Sequence, residues 1–160
     1  MVDAARSNAE SQHDQRGESD SLLRQGDIIK VRNQSGRDLD RFAVLGIDSP
    51  IILPAVNDRE FKNQVAINVV LPTENHAGQF VILLDPMRAG RMGRAWVSGV
   101  CPARIDVDED WHQYVDIDAG NTDALKSKPD GAAQILWREP ALGLRWAVVR
   151  LAWAERRRMR

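Results

Sequence analysis

The chain has 160 residues, 43% of them hydrophobic, which is enough for one folded domain and a tail but not for two domains of ordinary size. Its 22 basic and 23 acidic residues give a net charge of -1, which argues against a dedicated nucleic-acid-binding protein. A single cysteine excludes an internal disulfide framework, and no apolar run approaches the roughly 18 residues that a membrane-spanning helix needs.

The first 26 residues differ in composition from the rest of the chain. Residues 14–21 contain no apolar side chain, and such a stretch cannot bury enough surface to offset the entropy lost on ordering. The alanine-rich stretch before them favours at most a short amphipathic turn of helix. We therefore predict a flexible or partly helical N-terminal segment at 1–26, a β domain at 27–152 and a basic C-terminal tail at 153–160.

From residue 27 onward the sequence has the hydrophobic period of β-strands. Ile29 and Val31 alternate with Lys30 and Arg32, and residues that favour turns separate the later apolar runs. The predicted strands lie around residues 29–31, 42–47, 65–71, 80–84, 95–100, 103–107, 112–117, 132–137 and 144–151. Because no amphipathic helix of 10 to 15 residues lies between them, we predict an all-β (mainly β) fold, a single sandwich or small barrel of about nine short strands.

Three segments carry more specific expectations. Residues 80–84 are apolar without alternation, which predicts a central strand covered on both faces. Residues 144–151 favour a strand because a glycine precedes them and they contain two valines, with a helix as the alternative. Residues 57–63 are predicted to form one helical turn, capped by a polar side chain at its start and held to the core by Phe61.

The cysteine and the three histidines offer little catalytic or metal-binding chemistry. Cys101 could act as a nucleophile with His76 or His112 as its base, but its apolar neighbours favour a buried, inert thiol. The histidines show no metal-ligand spacing. We therefore predict no catalytic residue, no cofactor and no metal, although the numerous carboxylates leave open a hydrolase whose acidic residues cannot be assigned.

The acidic stretch that begins at Asp106 has carboxylates at alternate positions, as at the start of a helix–loop–helix calcium site. Such a site needs Gly at its sixth position and Glu at its twelfth, where this chain has Trp111 and Ile117. That site is therefore excluded. A solvated acidic loop is the favoured interpretation, with a looser surface calcium site as the alternative.

The chain contains five tryptophans against one tyrosine. Trp96, Trp137 and Trp146 lie within predicted strands, and we expect them to pack in the core or on a sheet face. Trp111 lies in the acidic loop and Trp153 near the basic end, where we expect partial exposure. An exposed tryptophan on a β domain can stack on a sugar ring or anchor a protein interface.

Charge is distributed unevenly along the chain. Residues 106–123 hold seven acidic residues and no Lys or Arg, whereas residues 88–94 hold three arginines and the C-terminal tail holds four. Segments of opposite charge can pair between neighbouring copies and set their orientation. The predicted interaction surface consists of the following residues: Trp111, Asp108, Glu109, Asp110, Arg91 and Arg94.

Three stretches resemble a known group of proteins: residues 28–47, GRAWVSGVCP at 93–102, and AQILW at 133–137 followed by 146–151. They are similar to poorly characterised proteins encoded in bacteriophage and prophage-like regions, including those of planctomycete bacteria. The resemblance covers most of residues 27–152 and contains no catalytic motif. It implies a virion-associated structural protein.

Together these observations predict a non-enzymatic structural β-domain of a phage or phage-like particle, in a decoration, tail or connector position. The expected partners are copies of the chain and other particle proteins, with no membrane and no specific nucleic acid. Because the N-terminus has no apolar secretion signal, the expected location is the virion or the host cytoplasm during assembly. A carbohydrate-binding or adhesion module that uses exposed tryptophan is the first alternative, and the hydrolase is the second.

Overall fold

The structure is a computed structural model that describes residues 27–151. The predicted N-terminal segment at 1–26 and the predicted tail at 153–160 lie outside the described residues. Within 27–151, no helix combines the length and the apolar character that crossing a bilayer requires.

The described residues form ten β-strands in two closed barrels of five strands each. Barrel 1 consists of β1 (Ile28–Asn33), β2 (Val44–Pro50), β3 (Ala66–Val70), β4 (Phe80–Leu83) and β5 (Met92–Trp96). Barrel 2 consists of β6 (Gly99–Val107), β7 (Tyr114–Asp116), β8 (Leu125–Lys128), β9 (Ala133–Arg138) and β10 (Gly143–Leu151). The prediction of a mainly β protein is confirmed, and the strands are divided between two barrels that follow each other along the chain.

The two barrels have the same topology. In each, the order of the strands around the barrel is first, third, second, fourth, fifth. The first and third strands are parallel, and the third and second are antiparallel. The first and fifth strands are antiparallel in both barrels. Each strand of barrel 1 therefore has a counterpart in barrel 2, and positions can be compared between them.

Strand β4 is buried along its whole length, as predicted for 80–84. Val81 and Leu83 belong to the core cluster inside barrel 1, whereas Phe80 and Ile82 belong to the cluster that fills barrel 2. Because successive side chains of a strand point to opposite faces, β4 serves both cores at once.

The two barrels share an interface in which the outer face of β2 and β4 covers one end of barrel 2. Val44 packs there with Phe80 and Ile82 against the core of barrel 2. The backbone is joined across the interface as well: the Val44 N–H donates to the Thr122 carbonyl at 2.9 Å, and the Gly120 N–H donates to the Pro72 carbonyl at 2.8 Å. Barrel 1 therefore covers this end of barrel 2.

A buried carboxylate also forms hydrogen bonds across this interface. Asp116, at the end of β7, accepts backbone N–H bonds from Gly78 at 3.0 Å, Ile117 at 2.8 Å and Ala132 at 3.3 Å. Gly78 belongs to barrel 1 and the other two donors to barrel 2. An ionised carboxylate is a strong acceptor for such donors, so Asp116 satisfies N–H groups on both sides of the junction.

The strands differ most from the prediction around Gly99, where the predicted strands at 95–100 and 103–107 correspond to β5 and the single long strand β6, and at β8. The predicted strand at 95–100 is two strands, because β5 ends at Trp96 and β6 begins at Gly99. Gly99 has φ 82°, a left-handed conformation that suits glycine, and the Asp27 carboxylate lies 2.9 Å from the place where a Cβ would stand. Strand β8 was not predicted, because its residues Leu-Lys-Ser-Lys carry little β propensity.

The structure decides the secondary structure of the segments at 144–151 and 57–63. Residues 143–151 form strand β10, as favoured over the helix. Residues Asp58–Asn63 form helix α1, capped by the Asn57 side chain, which accepts the Glu60 N–H at 3.1 Å. The expectation that Phe61 holds this helix to the core is wrong: α1 has no buried residue, and Phe61 is exposed.

Candidate interaction surface

The loop between β6 and β7 presents Trp111 at the end of barrel 2 that lies away from barrel 1. The Trp111 side chain is 64% exposed, and its ring meets the His112 ring edge-on at 4.6 Å. His112 is buried and shares a 2.9 Å hydrogen bond with the Ser127 hydroxyl, which also accepts the Asp108 N–H at 2.8 Å. A buried His–Ser pair therefore supports the loop while Trp111 faces solvent.

The acidic residues of this loop are largely neutralised by neighbours. Asp108 pairs with Lys126 at 3.6 Å, and Asp110 pairs with Arg138 at 2.9 Å. The Arg138 guanidinium also donates to the carbonyls of Asp110, Glu139 and Ala141, which ties the loop to the β9–β10 hairpin. Among residues 27–151, only Glu109 of the three predicted acids has no ion-pair partner.

Arg91 and Arg94 lie in barrel 1, at the β4–β5 connection and in β5. The Arg94 guanidinium binds both carboxylate oxygens of Asp85, at 3.1 and 2.9 Å. This hydrogen-bonded pairing lowers the pKa of Asp85 and raises the pKa of Arg94. Arg91 is exposed. The six predicted surface residues therefore belong to two different barrels, and Arg94 already has a carboxylate partner.

Two tryptophans that were expected to pack in the core or on a sheet face are substantially exposed. Trp137 is 57% exposed and Trp146 is 38% exposed. Trp137 lies beside Val148 on β10, where the register of β9 against β10 shifts, and the neighbouring Leu136 is exposed too. Such a bulge lets two consecutive side chains share the outer face of a strand. The sequence signal was the run Ile-Leu-Trp, which lacks the alternation of a regular strand.

Trp96 and Trp146 both contact the Phe42 ring at the junction between the barrels. The Phe42 ring stacks on Trp96 at 6.1 Å and meets Trp146 edge-on at 5.3 Å, with the Arg41 guanidinium over the Phe42 ring. Phe42 has φ 69°, a left-handed conformation that is unusual for a bulky residue. The cleft beside it holds about 170 Å³, below the roughly 300 Å³ that small-molecule pockets occupy.

A second exposed apolar set lies on barrel 1, in the connection between β2 and β3. It consists of four side chains: Leu53, Val56, Phe61 and Val65. Val56 is 78% exposed and Val65 is 71% exposed. Sequence analysis missed this set because Phe61 was assigned to the core and Val65 to a predicted strand.

The groups considered for catalysis do not meet. Burial raises the pKa of the Cys101 thiol to about 12, which leaves it protonated at neutral pH. His76 bonds to Thr73 and lies over Gly46 in barrel 1, and His112 bonds to Ser127. In the part of the chain that the structure describes, no three His, Cys, Asp or Glu side chains lie close enough together to hold a metal ion.

Neither a protein-family model, nor a curated protein, nor a solved structure matches this chain.

Proposed function

We propose that this protein is a non-enzymatic structural component of a phage or phage-like particle, in a decoration, tail or connector position. It binds copies of itself and neighbouring particle proteins. The observation that supports this proposal best is the exposure of apolar side chains in two separate places, the β9–β10 outer face and the β2–β3 connection. Contiguous exposed apolar patches on a soluble domain mark binding surfaces.

The chemistry of the exposed residues agrees with an interface rather than a reaction site. Tryptophan is among the residues that contribute most to protein interfaces, because it buries a large apolar area at little cost in side-chain entropy. Cys101 is buried and protonated, and Asp85, Asp108 and Asp110 are each held in ion pairs. These groups support the fold of the two barrels.

The test is the composition of the particles. Particles are purified from the source organism through a density gradient, and the chain is quantified by mass spectrometry against the main particle protein. We expect the chain to enter the particle fractions in a fixed ratio to that protein. A chain that is abundant in the lysate but absent from the particle fractions would contradict the proposal.

A second candidate function is carbohydrate binding or adhesion, which is favoured by the exposure of Trp111 and Trp137 on barrel 2. Stacking of a sugar ring on either indole would change the tryptophan fluorescence. A glycan array followed by fluorescence titration tests this function. Binding that is lost in Trp111→Ala or Trp137→Ala and kept in Met92→Ala, a control on the exposed surface of barrel 1, would favour it over the structural role. An array that shows no binding to any glycan would contradict carbohydrate binding.

A further inference from the structure

The repeated topology of the two barrels provides a template for how copies of the chain bind each other. We call the outer face of the second, fourth and fifth strands of a barrel its docking face. We call the end where the first, third and fourth strands begin its receiving end. Inside the chain, the docking face of barrel 1 covers the receiving end of barrel 2 through Val44, Phe80 and Ile82.

The connection between the second and third strands lies at the receiving end in both barrels. In barrel 2 this connection, residues 117–124, is in contact with barrel 1: Ile117 is part of the shared core, the Thr122 carbonyl accepts the Val44 N–H, and the Gly120 N–H donates to Pro72. The receiving end of barrel 2 is therefore the place where barrel 1 docks.

The receiving end of barrel 1 has no such cover among the described residues. Its connection, residues 51–65, leaves Leu53, Val56, Phe61 and Val65 exposed, and helix α1 within it buries none of its side chains. The position that is covered in barrel 2 is thus apolar and exposed in barrel 1.

The docking face of barrel 2 is the matching surface. Leu136 and Trp137 lie on β9, the counterpart of β4, and both are exposed. Val148 lies beside Trp137 on β10, the counterpart of β5. Barrel 1 buries the corresponding face, with Ile82 beside Trp96, against the neighbouring barrel. Among residues 27–151, one chain therefore presents an uncovered receiving end on barrel 1 and, at Leu136 and Trp137, an uncovered part of the docking face of barrel 2. Trp146, on the outer face of β10, contacts Phe42 of barrel 1 instead.

We propose that copies of this chain bind head to tail, so that the docking face of barrel 2 in one copy packs on the receiving end of barrel 1 in the next. The contact repeats, between chains, the interface that joins the two barrels within a chain. Such a heterologous interface generates a ring if the rotation between copies closes and an open filament if it does not. The inference deepens the proposed function and rests on it for the role of the assembly.

The experiment uses the full chain, two single substitutions and two controls. Trp137→Glu places a charge on the docking face of barrel 2, and Val56→Glu places one on the receiving end of barrel 1. Trp111→Glu changes an equally exposed tryptophan of barrel 2 outside the docking face, and Met92→Glu changes an exposed residue of barrel 1 outside its receiving end. Circular dichroism and urea unfolding confirm that each variant is folded, since all four positions are exposed.

Mass photometry and light scattering from nanomolar to tens of micromolar concentration give the assembly state. We expect the wild type and both controls to form oligomers, and Trp137→Glu and Val56→Glu to raise the apparent dissociation constant at least about tenfold, as loss of a central apolar anchor does. The decisive measurement is an equal mixture of these two variants. Each retains the surface that the other has lost, so the mixture should form pairs of chains and stop there.

The outcomes separate head-to-tail binding from the other arrangements. A wild type that stays monomeric throughout the range overturns the inference. This is the result expected if the receiving end were occupied by residues 1–26 of the same chain. A face-to-face dimer through Trp137 would leave Val56→Glu oligomeric and is also a refutation. Particles that contain the chain while Trp137→Glu enters them unchanged would keep the proposed function and remove head-to-tail binding. Head-to-tail pairs in solution, with no chain in the particles, would support head-to-tail binding and contradict the proposed function.

Discussion

The two barrels have one strand order but differ in what covers their equivalent surfaces. The outer face of β4 lies in the shared core, whereas the outer face of β9, its counterpart, is exposed and carries Leu136 and Trp137. The connection at 117–124 contacts a barrel, whereas the one at 51–65 leaves apolar side chains in solvent. Whether an apolar position is buried thus depends on the neighbouring barrel as well as on the strand that carries it.

The comparison also explains why a chain of this size can divide its strands between two small barrels. A domain of about 50 to 70 residues buries a modest share of its surface and is of marginal stability alone. Here the outer face of barrel 1 supplies part of the core of barrel 2, through Val44, Phe80 and Ile82. We infer that the two barrels stabilise each other and unfold together.

The largest expected effect comes from the outer faces of the fourth strands of the two barrels. Ile82→Ala removes a buried side chain from the shared core and should lower the free energy of unfolding by about 3 kcal/mol. Leu136→Ala trims an exposed side chain and should change it by less than about 0.5 kcal/mol at concentrations where the chain is monomeric. Urea unfolding followed by tryptophan fluorescence measures both.

Leu83→Ala tests whether the two barrels unfold together, because Leu83 belongs to the core cluster of barrel 1 alone. If the barrels unfold together, Ile82→Ala and Leu83→Ala both shift a single transition. Two separate transitions, with Leu83→Ala affecting only one of them, would show that the barrels unfold independently.

The next effect concerns the acidic residue in the second strand of each barrel. Asp116→Asn replaces a buried carboxylate that accepts three N–H groups by an amide whose own N–H₂ must face some of them. We expect a loss of about 2 kcal/mol in the free energy of unfolding. Asp48→Asn, on the exposed side of β2, is the matched control and should be nearly neutral. Equal effects of the two substitutions would mean that the bonds across the junction do not matter.

Sequence reasoning predicted the features that depend on local pattern. The unbroken apolar run at β4, the two valines of β10 and the apolar neighbours of Cys101 each correctly indicated burial or strand structure. These signals are local because they reflect the period of side chains along one strand.

The division into two barrels was beyond the reach of such patterns. The parallel pairing of β1 with β3 joins residues far apart along the chain, such as Lys30 and Ala66, and no alternation of residues specifies that partner. The break at Gly99 depends on contact with Asp27, and the exposure of Trp137 depends on a bulge against β10. The partial exposure expected for Trp111 is therefore confirmed, while the exposure of Trp137 and of the β2–β3 connection required the strand pairing.

The smallest expected effect tests the backbone of Phe42, where the loop of barrel 1 meets barrel 2. Phe42→Ala and Phe42→Gly both remove the ring that lies against Trp96 and Trp146, so both should be less stable than the wild type. They differ in the backbone, because φ 69° disfavours alanine and suits glycine. Glycine usually destabilises a protein relative to alanine, yet here Phe42→Gly should be more stable than Phe42→Ala by about 1 kcal/mol. If the alanine variant were the more stable one in urea unfolding, then the left-handed conformation would have been held by the aromatic ring and abandoned once the ring was gone.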